Sequence, residues 1–345
     1  MVYRLVFSIA ILTLPLVSCQ STSIAPIITA PSAQQPAPAQ TAPRPASPAV
    51  NQPQVVAVAP ATTQAPAAYV SEIQRWRAER LQNLTKDDGW LTVAGLYWLK
   101  PGANNAGSGP NNTIIFPRGK SPDIVGTFEL QSGKVSFTPR PNSGVTFGGK
   151  PLLQTITLKS DVESPDKPTV LDLNSLRFYI IKRGELMGVR IKDFTSAART
   201  AFKGLNYFEL SPAWRVEAKL EPHNPPKKIS IVNVLGMTAQ EPSPGALVFS
   251  VNGKTYRLDA VGERGADTLD IMFADDTNGR DTYGAGRYLD AEKVPGKPDT
   301  YLLDFNKSYS PPCSFTRFAT CPLPPPQNRL KISVTAGEKN YAGVH

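Results

Sequence analysis

The C-terminal third of the chain holds polar residues dense enough to build a binding or catalytic site. The guanidinium of Arg287 is planar and suits a carboxylate or a phosphate, so we expect it to contact an anion. The alternative is a structural ion pair between Arg287 and Asp304 or Glu338. The candidate ligand-binding residues in this region are Asp275, Thr277, Tyr283, Arg287, Asp304, Asn306, Arg329 and Glu338.

A second set of candidate ligand-binding residues, Arg190 and Lys192, alternates at the end of an apolar run. Residues two apart share one face of a strand, so these two side chains predict a small cationic patch. Asp193 follows them and precedes Phe194 and Thr195. It fits a helix N-cap equally well, and the cap is the blander alternative.

The acidic run from Asp275 to Gly279 invites comparison with a calcium loop. Placing Gly279 at the sixth loop position puts Ala274 and Ala285 where acidic ligands are required, so the EF-hand interpretation fails. A turn closed by its own side chains, or a looser cation-binding turn, remains. The chain has 2 histidines, His223 and His345, and we predict no metal site and no cofactor.

Other catalytic signatures are missing from the sequence. Gly284 and Gly286 lack the third glycine of a dinucleotide-binding turn, and no Gly-x-Ser-x-Gly motif occurs. Paired carboxylates leave no compact signature, so a carboxylate-dependent hydrolase of envelope glycans or esters stays open as an alternative. Its catalytic residues would be two of Asp275, Asp276, Asp304 and Glu338.

Cys313 and Cys321 lie eight positions apart near the C-terminus. Cysteines this close form a disulfide in an oxidising compartment. Free structural thiols and a metal or redox pair are the alternatives that the sequence leaves open. We predict the disulfide.

The start of the chain predicts export and lipidation. Arg4 precedes an apolar run that ends in Leu16-Val17-Ser18-Cys19. This pattern is typical of a secretory signal and resembles the bacterial lipobox, which implies a signal peptide over 1–18 and acyl chains on Cys19. Gln20 at the next position favours the outer membrane. We therefore predict a lipid-anchored protein that faces the periplasm or the exterior, with the lipid bilayer as partner.

Composition separates a tether from a folded part. Residues 19–68 are rich in Ala, Pro and Gln, which predicts a disordered spacer. The net charge is +9, but no dense basic stripe with interleaved aromatic residues accompanies it, so we predict no nucleic-acid partner. No obligate protein partner is evident either.

Beyond the tether, Ser71 and Gln74 predict the capping box of one helix. Short apolar runs then alternate with Gly, Pro and Asn clusters, a pattern typical of antiparallel strands, and Asn252-Gly253 predicts a hairpin. A second helix is expected over 194–201. The fold class is mainly β, with one helix and an antiparallel β-sandwich over 69–158. A second antiparallel sheet or barrel-like domain follows over 159–345 and contains the Cys/Pro-rich segment.

Two stretches resemble a known family. The first runs from Gly89-Trp90-Leu91-Thr92 to Gly95-Leu96-Tyr97-Trp98-Leu99. The second combines Gly286-Arg287-Tyr288, Asp304-Phe305-Asn306, Pro311-Pro312-Cys313 and Cys321-Pro322-Leu323-Pro324-Pro325. Together they are similar to the bacterial and archaeal domain-of-unknown-function family sixteen eighty-four. The resemblance covers most of residues 70–345 and implies no activity.

Residues 89–158 also resemble a forkhead-associated β-sandwich. The resemblance rests on the Gly107-Ser108 turn, the Asn-rich turn at 111–112 and the late Gly149. That fold reads phosphothreonine through an arginine and a histidine, which are missing at the matching places here. The resemblance therefore implies the sandwich and not phosphopeptide binding.

From these observations we predict a membrane-anchored lipoprotein that binds a small anionic or polar ligand of the cell envelope. The anion-accepting pocket would be built from Arg287, Asp304, Asn306, Arg329 and Glu338. The alternatives are the carboxylate-dependent hydrolase and a purely structural envelope lipoprotein.

Overall fold

The computed structural model of the protein describes residues 65–165 and 167–343. The predicted signal peptide, Cys19, Gln20 and the tether up to residue 64 lie outside the described residues. The predicted tether boundary at residue 68 is slightly late, since a helix already begins at Ala67.

Helix α1 (Ala67–Thr85) opens the folded part. Its N-cap is Pro66, and Ser71 donates to the carbonyl of Ala67 within the helix, so the predicted capping box does not form. The helix buries Tyr69, Ile73 and Leu84. It ends because the following residue, Lys86, adopts an extended conformation.

The first sandwich pairs two sheets. Its six-stranded sheet has the order β1-β11-β10-β9-β6-β7, and its five-stranded sheet has the order β3-β2-β4-β5-β8. All the pairings are antiparallel except β2 with β3. The strands are β1 (Val93–Trp98), β2 (Gly102–Gly107), β3 (Ile114–Ile115), β4 (Gly126–Gln131), β5 (Lys134–Pro139), β6 (Thr146–Phe147), β7 (Lys150–Pro151), β8 (Ile156–Leu158), β9 (Val170–Leu173), β10 (Leu176–Arg183) and β11 (Leu186–Asp193).

One apolar core fills this sandwich. Phe128 and Phe137 come from the five-stranded sheet and Phe178 from the six-stranded one, and their ring centroids lie 4.7–6.0 Å apart. The core continues to Ile191. The boundary predicted at residue 158 therefore lies inside the sandwich, because β9, β10 and β11 supply three strands of its six-stranded sheet. Whether the sandwich is of the forkhead-associated type stays a prediction.

A short helix, α2 (Ala197–Thr200), follows β11. It is shorter than the helix predicted over 194–201. Its N-cap is Ser196, whose hydroxyl accepts from the backbone N–H of Arg199. Asp193 instead accepts from the backbone and hydroxyl of Thr195 at 2.9 and 2.8 Å, so it caps a turn and not the helix.

The second part is one six-stranded antiparallel sheet with the order β14-β13-β12-β17-β16-β15. Within the described residues no sheet closes into a barrel, which decides between the two architectures predicted for this part. The strands are β12 (Arg215–Val232), β13 (Thr238–Val251), β14 (Lys254–Asp259), β15 (Thr268–Phe273), β16 (Arg287–Lys293) and β17 (Thr300–Asp304). The mainly β fold class is confirmed.

One face of this sheet packs against the C-terminal segment. Phe249, Phe273 and Phe305 meet with centroids 5.4–5.6 Å apart, and Leu330 and Val334 join the same core. Residues 330–334 run irregularly along the core. The hairpin predicted at Asn252-Gly253 joins β13 to β14, and both turn residues have positive φ.

Within the described part of the chain, no helix combines the length and the apolar character that crossing a bilayer requires.

Candidate functional site

A pocket of about 650 Å³ opens on the other face of the second sheet. Alternation along β15 and β16 creates it: Leu269, Ile271 and Phe273 face the core, so Asp270 and Met272 point to the opposite side. The long β12–β13 hairpin forms the facing wall. The lining residues are Arg183, Gly184, Glu185, Leu186, Ile231, Asn233, Met237, Thr238, Ala239, Glu241, Val261, Asp270, Ile271, Met272, Tyr288, Leu289, Asp290, Tyr309, Thr320 and Pro322.

The floor of the pocket is apolar. Ile231 and Met272 are 3% and 6% exposed and form a small buried cluster with Ile229. Val261 and Tyr288 pack against that cluster. A cavity of a few hundred cubic ångströms with apolar walls and a few polar groups is the usual form of a small-molecule site.

Two carboxylates face each other in this wall. Asp270 on β15 pairs directly with Asp290 on β16, and such cross-strand neighbours have Cβ atoms about 5 Å apart. Burial raises the pKa of Asp270, and the charges of Asp290 and Glu241 raise it further. Burial also raises the pKa of Asp290, against a lowering by its hydrogen bond from Tyr309. Solvent reaches both groups from the pocket, while protein on the other sides removes part of their hydration.

Two tyrosines hold the carboxylate end of the pocket in place. The Tyr309 hydroxyl donates to Oδ1 of Asp290 at 3.2 Å, and the Tyr288 hydroxyl donates to the carbonyl of Pro322 at 2.6 Å. The two rings meet edge to face, 5.8 Å apart. The guanidinium of Arg80 on α1 lies 4.9 Å from the centre of the Tyr309 ring, so the first helix supports this wall from behind.

The charges of the pocket are mostly negative. Glu185, Glu241, Asp270 and Asp290 line it, and Arg183 is the one cation among its lining residues. The guanidinium of Arg183 is bound to Asp161 at 2.8 Å. The lining therefore favours a cationic or hydrogen-bond-donating group over an anion.

The predicted site residues lie elsewhere, and six of the eight C-terminal ones, Asp275, Thr277, Arg287, Asp304, Asn306 and Glu338, belong to two buried networks. In the first, Arg287 is fully buried and its Nη2 donates to Asp275 at 2.9 Å and to the carbonyl of Val334 at 2.9 Å. Asp275 also accepts from the backbone and hydroxyl of Thr277 at 2.8 and 2.6 Å. The ion pair predicted with Asp304 or Glu338 is formed with Asp275 instead. The acidic run is thus a turn closed by its own side chains, and the described residues include no metal-binding cluster.

The second network docks helix α1. Tyr69 donates to Asp304 at 2.8 Å and accepts from the Asn306 amide at 3.0 Å. Arg80 on the same helix reaches Glu338 at 2.8 Å, and that glutamate also accepts from the backbone N–H of Ser310. Asp304, Asn306 and Glu338 are therefore used to hold the fold together.

The anion pocket predicted from five C-terminal residues is not assembled. Four of them, Arg287, Asp304, Asn306 and Glu338, are buried against protein partners, and Arg329 is exposed. Tyr283 is partly buried. Binding of a ligand by any of these residues stays a prediction that their contacts do not support, and none of them lines the pocket.

Arg190 and Lys192 share a face of β11, as the alternation predicts. Arg190 is 4% exposed and lies 5.2 Å from the ring centre of Trp90, and its Nε and Nη2 have no hydrogen-bond partner. Lys192 donates to the carbonyl of Asp88 at 2.5 Å. The pKa of Lys192 is lowered to about 8, mainly by burial. The charge of Asp88 opposes this lowering, and the charge of Arg190 adds to it.

A disulfide joins Cys313 to Cys321, with the Cα atoms 6.1 Å apart. The residues just after it contact the end of the β12–β13 hairpin. Val234 donates to the carbonyl of Cys321 at 3.0 Å, and Leu323 donates to the carbonyl of Val232 at 2.7 Å. The Cys/Pro-rich segment thus fixes the hairpin that walls the pocket.

The sequence alone did not indicate the pocket residues Glu241, Asp270, Asp290, Tyr288 and Tyr309. Asp270 and Asp290 each sit between apolar residues, a pattern that reads as the solvent face of a strand. A signal was present, since two strands with the same Asp-in-apolar alternation can place the acids opposite each other. Recognising the acidic pair also required the register between β15 and β16, which the sequence does not supply.

The fold and the site define a mainly β protein with an apolar, acidic pocket. Residues 200–339 match the model of the family described as "Protein of unknown function (DUF1684)". The chain belongs to this family.

Among solved structures, the chain is similar to the uncharacterized protein from gene locus rrnAC0354 of Haloarcula marismortui, studied by solution NMR. The identity is 35% over 41% of this chain and 78% of that one, with a TM-score of 0.34. No curated protein matches the chain.

Proposed function

We propose that the folded part binds a small ligand with an apolar body and a cationic group. The observation that carries this proposal is the direct pairing of Asp270 with Asp290 above an apolar floor. Two carboxylates that repel each other lose that repulsion when a cation lies between them. For this pocket we therefore propose a cationic ligand, and not the anionic ligand expected from the sequence.

The shape of the pocket supports a ligand with an apolar body. Met237 and Met272 line it, and methionine side chains adapt to ligands of varied shape. The rings of Tyr288 and Tyr309 line the pocket beside the carboxylates, and aromatic rings next to acidic groups recognise quaternary ammonium groups.

The rim of the pocket is also apolar. Leu186 lines the pocket and is 46% exposed, and Val234 and Leu235, which follow the lining residue Asn233 at the end of the β12–β13 hairpin, are 38% and 47% exposed. A rim of this kind suits a ligand that arrives from an apolar phase. It agrees with the further proposal, which rests on the lipobox-like start of the chain, that lipid on Cys19 holds the protein at a membrane of the cell envelope.

Titration calorimetry tests the ligand class. The purified chain is titrated with octyltrimethylammonium and with octanoate, two probes with similar apolar chains and opposite charges. The proposal expects tighter binding of the cation, and a loss of about tenfold or more, about 1.4 kcal/mol, in the variant carrying Asp270→Asn and Asp290→Asn. The matched control is Asp281→Asn, since Asp281 pairs with Arg280 away from the pocket. Equal binding of both probes by the wild type would contradict the proposal.

A hydrolase is the second candidate, and the same carboxylates favour it. Facing carboxyl groups with raised pKa values are what acid–base catalysis uses. Of the residues expected for this pair, Asp275, Asp304 and Glu338 are held in structural contacts, and the exposed Asp276 does not line the pocket. Turnover of envelope glycans or esters that Asp270→Asn abolishes, without loss of folding, would favour catalysis over binding.

A further inference from the structure

Arg190 differs from the other deeply buried arginine of this protein. Arg287 is fully buried, and although its Nε has no partner, both of its terminal nitrogens do, namely Asp275 and backbone carbonyls. Arg190 is 4% exposed, yet its Nε and Nη2 are shielded from solvent without any partner. Buried guanidinium groups are normally paired, because removing the charge from water is costly. Arg287 is paired directly with a carboxylate, whereas Arg190 has only the side chain of Tyr179 and the more distant charge of Asp161, which Arg183 already pairs.

A second cation makes the imbalance larger. Lys192 is 9% exposed and follows Arg190 on the same face of β11. Opposite them across the β10–β11 pairing lie Tyr179, against Arg190, and Arg177, against Lys192. Within the described residues neither Arg190 nor Lys192 has a carboxylate within 4.0 Å, whereas Arg177 is paired with Asp172 at 2.7 Å.

The surroundings of Arg190 leave room for an ion only if an aromatic side chain moves. Residues 189 and 191 face the sandwich core, so Arg190 projects from the outer face of the sheet. The ring of Trp90, which is partly buried, lies over its guanidinium. Trp90 belongs to a short turn after α1 and not to the sheet, so its side chain can be displaced without breaking a strand.

We propose that Arg190 and Lys192, under Trp90, form a binding site for a phosphate group, distinct from the pocket on the second sheet. The guanidinium provides a planar fork of donors for oxygen atoms. The lysine provides a second positive charge, so the pair matches a doubly charged phosphate better than a singly charged carboxylate. The site does not rest on the pocket, and either can fail without the other.

The first experiment uses the full chain and inorganic phosphate. Thermal unfolding is followed in phosphate, in acetate and in chloride at equal ionic strength, together with tryptophan emission. The proposal expects phosphate to raise the melting temperature and shift the emission, while acetate and chloride do neither. Glycerol phosphate in the same assay distinguishes free phosphate from a phosphate ester as the ligand. A response to the ester alone assigns the site to the phosphoryl group of a larger molecule. Failure of both phosphate probes would overturn the proposal.

Variants locate the site. Arg190→Met should abolish the phosphate response without lowering the melting temperature in phosphate-free buffer, because it removes an unpaired buried charge. The matched control Arg280→Met removes an exposed arginine elsewhere and should keep the response. Trp90→Phe should keep the stabilisation and lose the emission change, which gives a reading that does not depend on how well Arg190→Met folds. A phosphate response that persists in Arg190→Met, or that Trp90→Phe leaves unchanged in emission, would contradict the assignment.

Discussion

Asp270 and Asp290 stand directly opposite each other on β15 and β16, with Met272 and Tyr288 as the next facing pair on the same side of the sheet. The sheet therefore presents two acids and an apolar floor in one small area. Burial raises the pKa of both groups, and the charge of Asp290 raises that of Asp270 further. Folding thus brings like charges together here, and this relationship motivates the ligand class that we propose.

The first prediction concerns stability and pH. The folded-state pKa values of Asp270 and Asp290 are raised above the ordinary value of 3.8. For a raised carboxyl pKa, the stability is fully present below the unfolded-state pKa and is lost as pH rises through the folded-state pKa. Asp270→Asn should therefore raise the melting temperature at pH 7 and have a smaller effect near pH 3. Calorimetric scans between pH 3 and pH 7 measure this difference in melting temperature. A variant less stable than the wild type at pH 7 would contradict the prediction.

The second prediction concerns the buried pair of Arg287 and Asp275. Arg287→Met leaves the carboxylate of Asp275 in the core without its cation, which should reduce the free energy of unfolding by about 3–5 kcal/mol. Arg280→Met breaks an exposed pair with Asp281 and should cost less than about 1 kcal/mol. Urea unfolding measures both, and similar losses in the two variants would refute the structural role assigned to Arg287.

The third prediction concerns the docking of helix α1. Tyr69→Phe removes the hydroxyl that links Asp304 and Asn306 and leaves buried polar groups unsatisfied, at about 1–3 kcal/mol. Amide exchange in α1 should accelerate together with this loss. Tyr256→Phe is the control, because Tyr256 stacks on Phe249 at 5.9 Å and its hydroxyl has no such link. Unchanged exchange in Tyr69→Phe would show that the helix is held by other contacts.

The fourth prediction is the titration of Lys192. Burial lowers its pKa from 10.5 to about 8. Below about pH 8 the buried ammonium costs stability, and this cost disappears as pH rises towards 10.5. Carbon-13 NMR of dimethylated lysines should show one signal that titrates near pH 8 and that is missing in Lys192→Met. A Lys192 signal titrating above pH 10 would contradict the burial described for this side chain.

Local patterns were enough to predict much of the fold. The Asn252-Gly253 turn, the apolar runs of β10 and β11 and the mainly β class follow from residue types that favour strands and tight turns. Local patterns were not enough where contacts between residues distant in sequence determine the structure. Pro222, Pro225 and Pro226 disfavour the interior of a strand, yet Arg215–Val232 runs as one strand with an irregular pairing between Pro222 and Lys227.

The site was harder to predict than the fold. Arg287 was expected to contact an anionic ligand, with an ion pair to Asp304 or Glu338 as the alternative. Its partner is Asp275, 12 positions before it, because the turn after β15 folds back towards the start of β16. Residue type alone could not tell a buried arginine from one that meets a ligand. Asp290, Glu292 and Lys293 give the β16 segment the charge of a solvated stretch, and the Asp270–Asp290 pair depends on the register between β16 and β15.

The central claim is that the pocket on the second sheet binds an apolar cation. Methionine methyl NMR tests it most directly, since Met237 and Met272 line the pocket and Met187 is buried in the first sandwich. On titration with octyltrimethylammonium, the account predicts shifts of the Met237 and Met272 methyl signals, no shift of Met187, and no shift of any of them with octanoate. Signals of Met237 and Met272 that stay in place throughout the cation titration would contradict the claim.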